Sequence, residues 1–494
     1  MGDDIVRLGP ELALLTGAAI IVMVDVALPQ IRGADRGRAR LMALLGVVAV
    51  AVSIGWSLAL AVGDEKGPAF NDVIVIDDFS LFFSFLFAGV AGVIVLASVD
   101  FLERNHFPAE YVALVLAAAA GMMLMASSVD LIAIFIALEL QAIAFYIMVA
   151  FSKNEKSAEA ALKYLLLGAI SSAITLYGMA FLFGLSGSTA LDEIAVFVRD
   201  AESDTRSGLV VAAVLLTAGF GFKMAIVPFQ MWVPDVYEGA PTPVTAYLSV
   251  ASKAAGFAVV MRIFLVALGE GAITSDWAVL FAILAAISMS VGNITALMQS
   301  NVKRMLGYSS IAQAGTLLIG LAAVAANDPQ LLLGASSVLF FLGTYAFTNL
   351  GAFVAIIAIS NKIGSDQIAD YAGVAKRSPI LAGGLAACLI SLTGIPPTAG
   401  FIAKLYIFDA AVQADLVWLA IIGVVNSVIA TYYYLRVVLN MYTRDPVEES
   451  RFLPSPSLSV ALAVSVIGLF AIGIYPSPLI AASESAANVF ASVS

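Results

Sequence analysis

Ionisable side chains within apolar runs of this sequence include Glu139, Lys163, Lys223, Lys253 and Lys404. Glu139 interrupts LIAIFIALELQAIAFYIMVAF. Lys223 and Lys253 belong to TAGFGFKMAIVPFQMWVPDVYEGAPTPVTAYLSVASKAAG, where Pro228, Pro234, Pro241, Pro243 and an acidic loop stand between them. A lysine at the centre of a bilayer costs roughly 2.5–3.5 kcal/mol on the lenient insertion scales. Irregular backbone at membrane depth is tolerated only where protein or a hydrated cavity surrounds it. The pattern therefore predicts a polar, hydrated interior that serves as a path for ions or protons.

A poorly hydrated lysine is destabilised as a cation, and so becomes able to take up and release a proton at working pH. A carboxylate nearby reverses this: opposite charges about 4 Å apart interact by about 4 kcal/mol at an effective dielectric near 20. Moving such a pair together or apart would load or unload the lysine. Glu139 and Lys223 are the natural candidates, with Lys253 and Lys404 passing the proton onward through water. Lys163 is shallower, about six residues from the end of its run. Arg262, nine residues beyond Lys253, is expected to be an interfacial anchor. The single histidine, His106, argues against a histidine metal site. The single cysteine, Cys388, excludes a disulfide or a cysteine-ligated cluster made by this chain alone. With no glycine-rich phosphate loop and no dinucleotide fingerprint, neither a metal nor a cofactor is expected in this chain.

The elements that must position these groups are transmembrane helices. Of 494 residues, 61% are hydrophobic and only 12% charged, far from the soluble norm. Fourteen apolar spans can be drawn, at about 10–30, 40–62, 79–101, 109–127, 129–152, 157–186, 207–233, 243–268, 273–298, 303–326, 329–360, 379–413, 415–441 and 457–482. The expected fold is all-α and polytopic, in one membrane domain, with short loops and with helices 7 and 12 discontinuous at their prolines. The acidic start MGDDIVRL lacks the basic region of a cleaved signal, so the first helix is expected to stay. Thr217-Ala218-Gly219-Phe220-x-x-Lys223 is echoed by Thr398-Ala399-Gly400-Phe401-x-x-Lys404. The copies lie five spans apart and must run in opposite directions, as in an inverted-topology repeat.

Charge predicts the orientation. Loops after spans 1, 3 and 5 hold Arg32, Arg36, Arg38, Arg40, Arg104, Lys153 and Lys156. Loops after spans 9, 11 and 13 hold Lys303, Arg304, Lys362, Lys376, Arg377, Arg436, Arg444 and Arg451. The opposite loops are acidic, with Asp64, Glu65, Asp72, Asp77 and Asp78 in one and Asp192, Glu193, Asp200, Glu202 and Asp204 in another. The positive-inside rule then puts both termini outside the cytoplasm.

The segments GFKMAIVPFQMWVPDVYEGAPTPVTA, SVASKAAGF, NVKRMLGYSSIAQAG and IPPTAGFIAKLYIF resemble the antiporter-like subunits of respiratory complex I along essentially the whole chain. VYEGAP and lysine at both 253 and 404 resemble the subunit N branch. The resemblance implies two inverted five-helix repeats, helices 4–8 over 109–270 and helices 9–13 over 271–443, flanked by helices 1–3 over 1–108 and helix 14 over 444–494. It implies proton translocation through Glu139, Lys163, Lys223, Lys253 and Lys404, driven by quinone reduction elsewhere in the complex. It implies further membrane-arm subunits as partners and the cell inner membrane as the location. Gln230 and Gln313 stand where many relatives carry histidine, so a histidine step does not transfer to this chain. A subunit of a multi-subunit cation/proton antiporter, a subunit of a ferredoxin- or hydrogenase-linked membrane complex, and an inert scaffold remain as alternatives.

Overall fold

A computed structural model describes residues 2–28, 36–63, 65–201, 205–269, 273–324, 331–446 and 448–491. Arg32, Asp64, Glu202 and Asp204, used above for orientation, lie outside them. Among the described residues, 13 continuous helices are long and apolar enough to cross a membrane. They are α1 (Gly9–Ala27), α2 (Arg36–Val62), α3 (Asp78–Ala97), α4 (Pro108–Ser127), α5 (Leu131–Val149), α6 (Glu155–Ser186), α7 (Arg206–Met224), α8 (Thr242–Ala267), α9 (Thr274–Leu297), α10 (Val302–Val324) and α11 (Leu332–Ile363). Two shorter helices follow, α12 (Pro379–Thr393) and α13 (Ala399–Gln413). The last two spans are α14 (Val417–Thr443) and α15 (Pro456–Ile474). The expected twelfth span is thus the broken pair α12–α13, which restores fourteen crossings.

Local chemistry sets the helix ends. Asp130 caps α5 by accepting from the amides of Ile132 and Ala133 at 2.8 and 3.1 Å. Asn154 caps α6 through the Ser157 amide at 2.8 Å, and Gly187 closes that helix with φ +75°. The expected run 207–233 ends early: α7 stops at Met224, and Ala225 turns away with φ +62°. That left-handed conformation costs an alanine about 1–2 kcal/mol. Helical structure resumes only at Val233–Gly239. The second break follows Gly394, whose φ is +90°. A Cβ on Gly394 would also stand 2.9 Å from Lys404 Cδ, so glycine is required there twice over.

The chain divides into two compact units. The first runs to Met224, then takes Ala251–Thr274 and the C-terminal segment from Ser485. Within it, strands β1 (Gly67–Ala69) and β2 (Ile74–Ile76) form an antiparallel hairpin before α3. Both chain ends pack on this loop region: Arg7 Nε donates to Glu65 O at 3.0 Å, and Ser485 Oγ donates to Asp78 at 2.7 Å. Arg40 pairs with Glu103 at 2.7 Å, joining the loops that follow α1 and α3.

The second unit holds Ala225–Val250 and Ser275–Glu484. Its α10 and α11 are almost wholly enclosed, whereas α15 is mostly exposed and apolar, as a lipid-facing helix would be. Arg304 pairs with Asp235 and Glu238 at 2.8 and 3.2 Å, and Lys376 with Asp445 at 2.6 Å. Arg40–Glu103 and Lys376–Asp445 each join two loops of the basic set, whereas Arg304 reaches the acidic segment between α7 and α8, which the charge pattern leaves unassigned.

Candidate functional site

In the first unit, α5, α6 and α7 assemble around one face of α6. Tyr164, Gly168 and Ser172 recur there every four residues and therefore form one stripe. Ser172 Oγ donates to Glu139 Oε1 of α5 at 2.5 Å. Two turns along α5 from Glu139, the Tyr146 hydroxyl lies against Gly168, where a Cβ would be 2.1 Å from it. The Tyr146 and Tyr164 rings meet edge to face at 5.0 Å, and Tyr164 stacks on Phe222 of α7 at 5.8 Å. On the α7 side, Ser171 Oγ donates to Gly219 O at 2.7 Å, and Gly219 leaves room for Thr175.

Lys223 ends in this aromatic enclosure. It is 3% exposed, and its Nζ makes no hydrogen bond to the protein. The Tyr146, Tyr164 and Phe222 rings each lie 5.9 Å from it. Glu139 does not form a direct ion pair with the lysine. The expected partners thus reach the same face of α6 without touching, Glu139 at Ser172 and Lys223 near the Tyr164 ring. The Tyr146, Tyr164 and Phe222 rings offer cation–π attraction, about 0.5–2 kcal/mol each depending on desolvation.

Lys253 lies in the same unit on α8 and is 1% exposed. It directly follows a π-helical turn, Leu248–Ser252, and a second π-helical stretch occupies Arg262–Ala267. Such widened turns often occur at functional sites. Gly256, one turn on, lets α8 approach α7: a Cβ there would be 3.2 Å from the Cβ of Lys223. Lys163 is different. Its side chain is 43% exposed and pairs with Glu159 one turn back on α6 at 2.8 Å.

Arg262, expected to be an interfacial anchor, is buried, with Nη2 on Asp77 Oδ1 at 2.7 Å and Nε donating to Ala126 O at 3.0 Å. Asp77 also caps α3, and its distance in sequence hid the pairing.

In the second unit, Lys404 of α13 is 7% exposed. Its Nζ donates to Thr393 O at 2.9 Å and to Ser427 Oγ at 3.2 Å. The carbonyl is available because α12 ends there and leaves its last acceptors unpaired within the helix. A cavity of about 10 Å3 opens beside the lysine, lined among others by Gln313, Tyr345, Thr348 and Ser391. That is close to the room one water molecule needs. Gln313 donates to Leu392 O at 3.2 Å, while its buried carbonyl oxygen has no protein partner. The two TAGF copies are not equivalent in position, since the first lies in the helix before its break and the second caps and begins the helix after its break.

Sequence reasoning missed Tyr146, Ser172, Thr393 and Ser427. All are uncharged and raise no anomaly in an apolar run. Among the described residues no group of His, Cys, Asp and Glu is placed to hold a metal ion.

Residues 128–430 match a family described as NADH:quinone oxidoreductase/Mrp antiporter, transmembrane. NADH-quinone oxidoreductase subunit N of Dehalococcoides mccartyi is 44% identical over 97% of this chain and 98% of its own length. A chain of respiratory complex I from Thermus thermophilus, solved with bound aureothin, is 30% identical with a TM-score of 0.78, covering 96% of this chain and 98% of that one. A chain of the Mrp complex from Dietzia shares the fold, with a TM-score of 0.84 at 20% identity over 99% of this chain and 97% of that one.

Proposed function

The chain belongs to the NADH:quinone oxidoreductase/Mrp antiporter transmembrane family, and on that premise we propose that Glu139 and the buried Lys223, Lys253 and Lys404 carry protons across the membrane. It works as an antiporter-like subunit of a respiratory NADH–quinone oxidoreductase. Quinone reduction in other subunits supplies the energy, and neighbouring membrane-arm subunits are its partners. This chain holds no redox centre of its own. It resides in the inner membrane, with both termini outside the cytoplasm and two inverted repeats over 109–270 and 271–443.

One observation carries the reading: Lys223, Lys253 and Lys404 are 3%, 1% and 7% exposed within membrane-spanning helices. Three such placements would cost several kcal/mol together and imply a role that apolar side chains could not fill. Desolvation makes the neutral amine accessible, and Glu139 supplies a charge that can favour the ammonium of Lys223. Lys163, half-exposed beside Glu159, is the least enclosed of the five and serves as the approach to Lys223. A subunit of a cation/proton antiporter is the alternative, because the family description names both kinds of complex.

Glu139→Gln and Lys223→Ala test the reading in the assembled complex. Each should lower proton pumping and the electron transfer coupled to it, while the subunits remain together. Normal pumping by both variants would leave the pair a structural role at most.

A further inference from the structure

Glu139 and Lys223 reach the same face of α6 without touching, so a proton that passes between them needs a connection. Three observations converge on Tyr146. Its hydroxyl is buried and makes no hydrogen bond to the protein, and the same holds for Lys223 Nζ, which is 5.9 Å from the Tyr146 ring. Tyr146 follows Glu139 by seven residues and so lies on the same face of α5, roughly 10 Å along the axis. The third observation is the matching spacing on α6. Ser172 meets Glu139 at 2.5 Å, and Gly168, one turn away, meets the Tyr146 hydroxyl with no room for a side chain. A buried hydroxyl and a buried ammonium without protein partners are ordinarily satisfied by water.

We infer that Tyr146 is a positioning residue that joins Lys223 to Glu139, its hydroxyl holding the hydrogen-bonded water through which the proton passes. The inference rests on the proton-carrying reading of Glu139 and Lys223. In the transfer, the Lys223 ammonium gives a proton to water beside the Tyr146 hydroxyl. That water, oriented by the Tyr146 hydroxyl, passes a proton on towards the Glu139 carboxylate. The net change is an ammonium and a carboxylate becoming an amine and a carboxylic acid, with the tyrosine unchanged. Gly168 sets where the hydroxyl stands, and Tyr164 braces the ring.

Tyr146→Phe is the discriminating variant, because it keeps the ring beside Lys223 and Tyr164 and removes only the oxygen. In the assembled complex, pumping should fall by roughly 10-fold, less than the roughly 10²–10⁴-fold typical of lost acid–base groups because water can bridge part of the gap. The pH profile of pumping should also move, since Glu139, Tyr164 and Lys223 are the titratable groups around the lost hydroxyl. A purely packing role would leave that profile unchanged. Gly168→Ala, which crowds the hydroxyl without removing it, should give a smaller loss in the same direction, and it decides the matter alone if Tyr146→Phe fails to assemble. Parental pumping with a parental pH profile in the deciding variant overturns the role of Tyr146. Lys223→Ala and Glu139→Gln run alongside: if they are impaired while Tyr146→Phe is not, only the tyrosine falls. If they pump normally, the underlying reading falls with it.

Discussion

At the scale of single residues, charge in an apolar run is a loud signal, and what surrounds it is silent. Glu139, Lys223, Lys253 and Lys404 could be picked out because each violates the hydropathy of its own helix. Tyr146 and Ser172 complete the site without violating anything, and only the packing of α5 on α6 brings Ser172 to Glu139 and the Tyr146 hydroxyl to Gly168. The carboxylate partner of Arg262 is hidden for a related reason, since Asp77 lies 185 residues away in sequence. The fold puts Lys163 in a half-exposed pair with Glu159 at 2.8 Å, and exposed pairs of this spacing contribute only about 0.3–0.5 kcal/mol.

Breaks in the helices were legible from proline, but their edges were not. Apolar residues continue through 225–232, so hydropathy carried span 7 past its true end at Met224. The break between α12 and α13 depends on Gly394 for its backbone and for the space that the Lys404 stem fills. Gly394→Ala should destabilise by about 1–2 kcal/mol from backbone conformation alone, and should also displace Lys404. Gly383→Ala in the middle of α12 is the control, since its Cβ would meet nothing closer than Tyr442 at 3.9 Å. That change should be neutral or stabilising, by up to about 1 kcal/mol. Thermal inactivation of the purified complex, read beside pumping, separates the two. Equal midpoints would remove the claim that Gly394 shapes the break. The π-helical turns around Lys253 left no trace in the sequence, because a single extra residue in a turn changes no composition.

For the whole molecule, the distribution of basic and acidic loops predicted which segments share a side. Arg40–Glu103 and Lys376–Asp445 each join two loops of the basic set, and Arg7 and Ser485 both meet the loop near β1 and β2. Which side faces the cytoplasm follows from the positive-inside rule. Asp72→Cys should therefore react with an impermeant thiol reagent added from outside. The one native cysteine, Cys388, is buried and gives little background. Reaction at Arg40→Cys instead would invert the orientation. The proton-carrying claim itself is tested most directly at Lys253, which lies among the small residues Ser252, Ala254, Ala255 and Gly256. Arginine keeps the positive charge but does not release a proton at any accessible pH. Proton pumping should be measured for Lys253→Arg and Lys253→Ala in complexes shown to contain every subunit. The account predicts that arginine is nearly as damaging as alanine, whereas pumping by Lys253→Arg at the parental rate would contradict it.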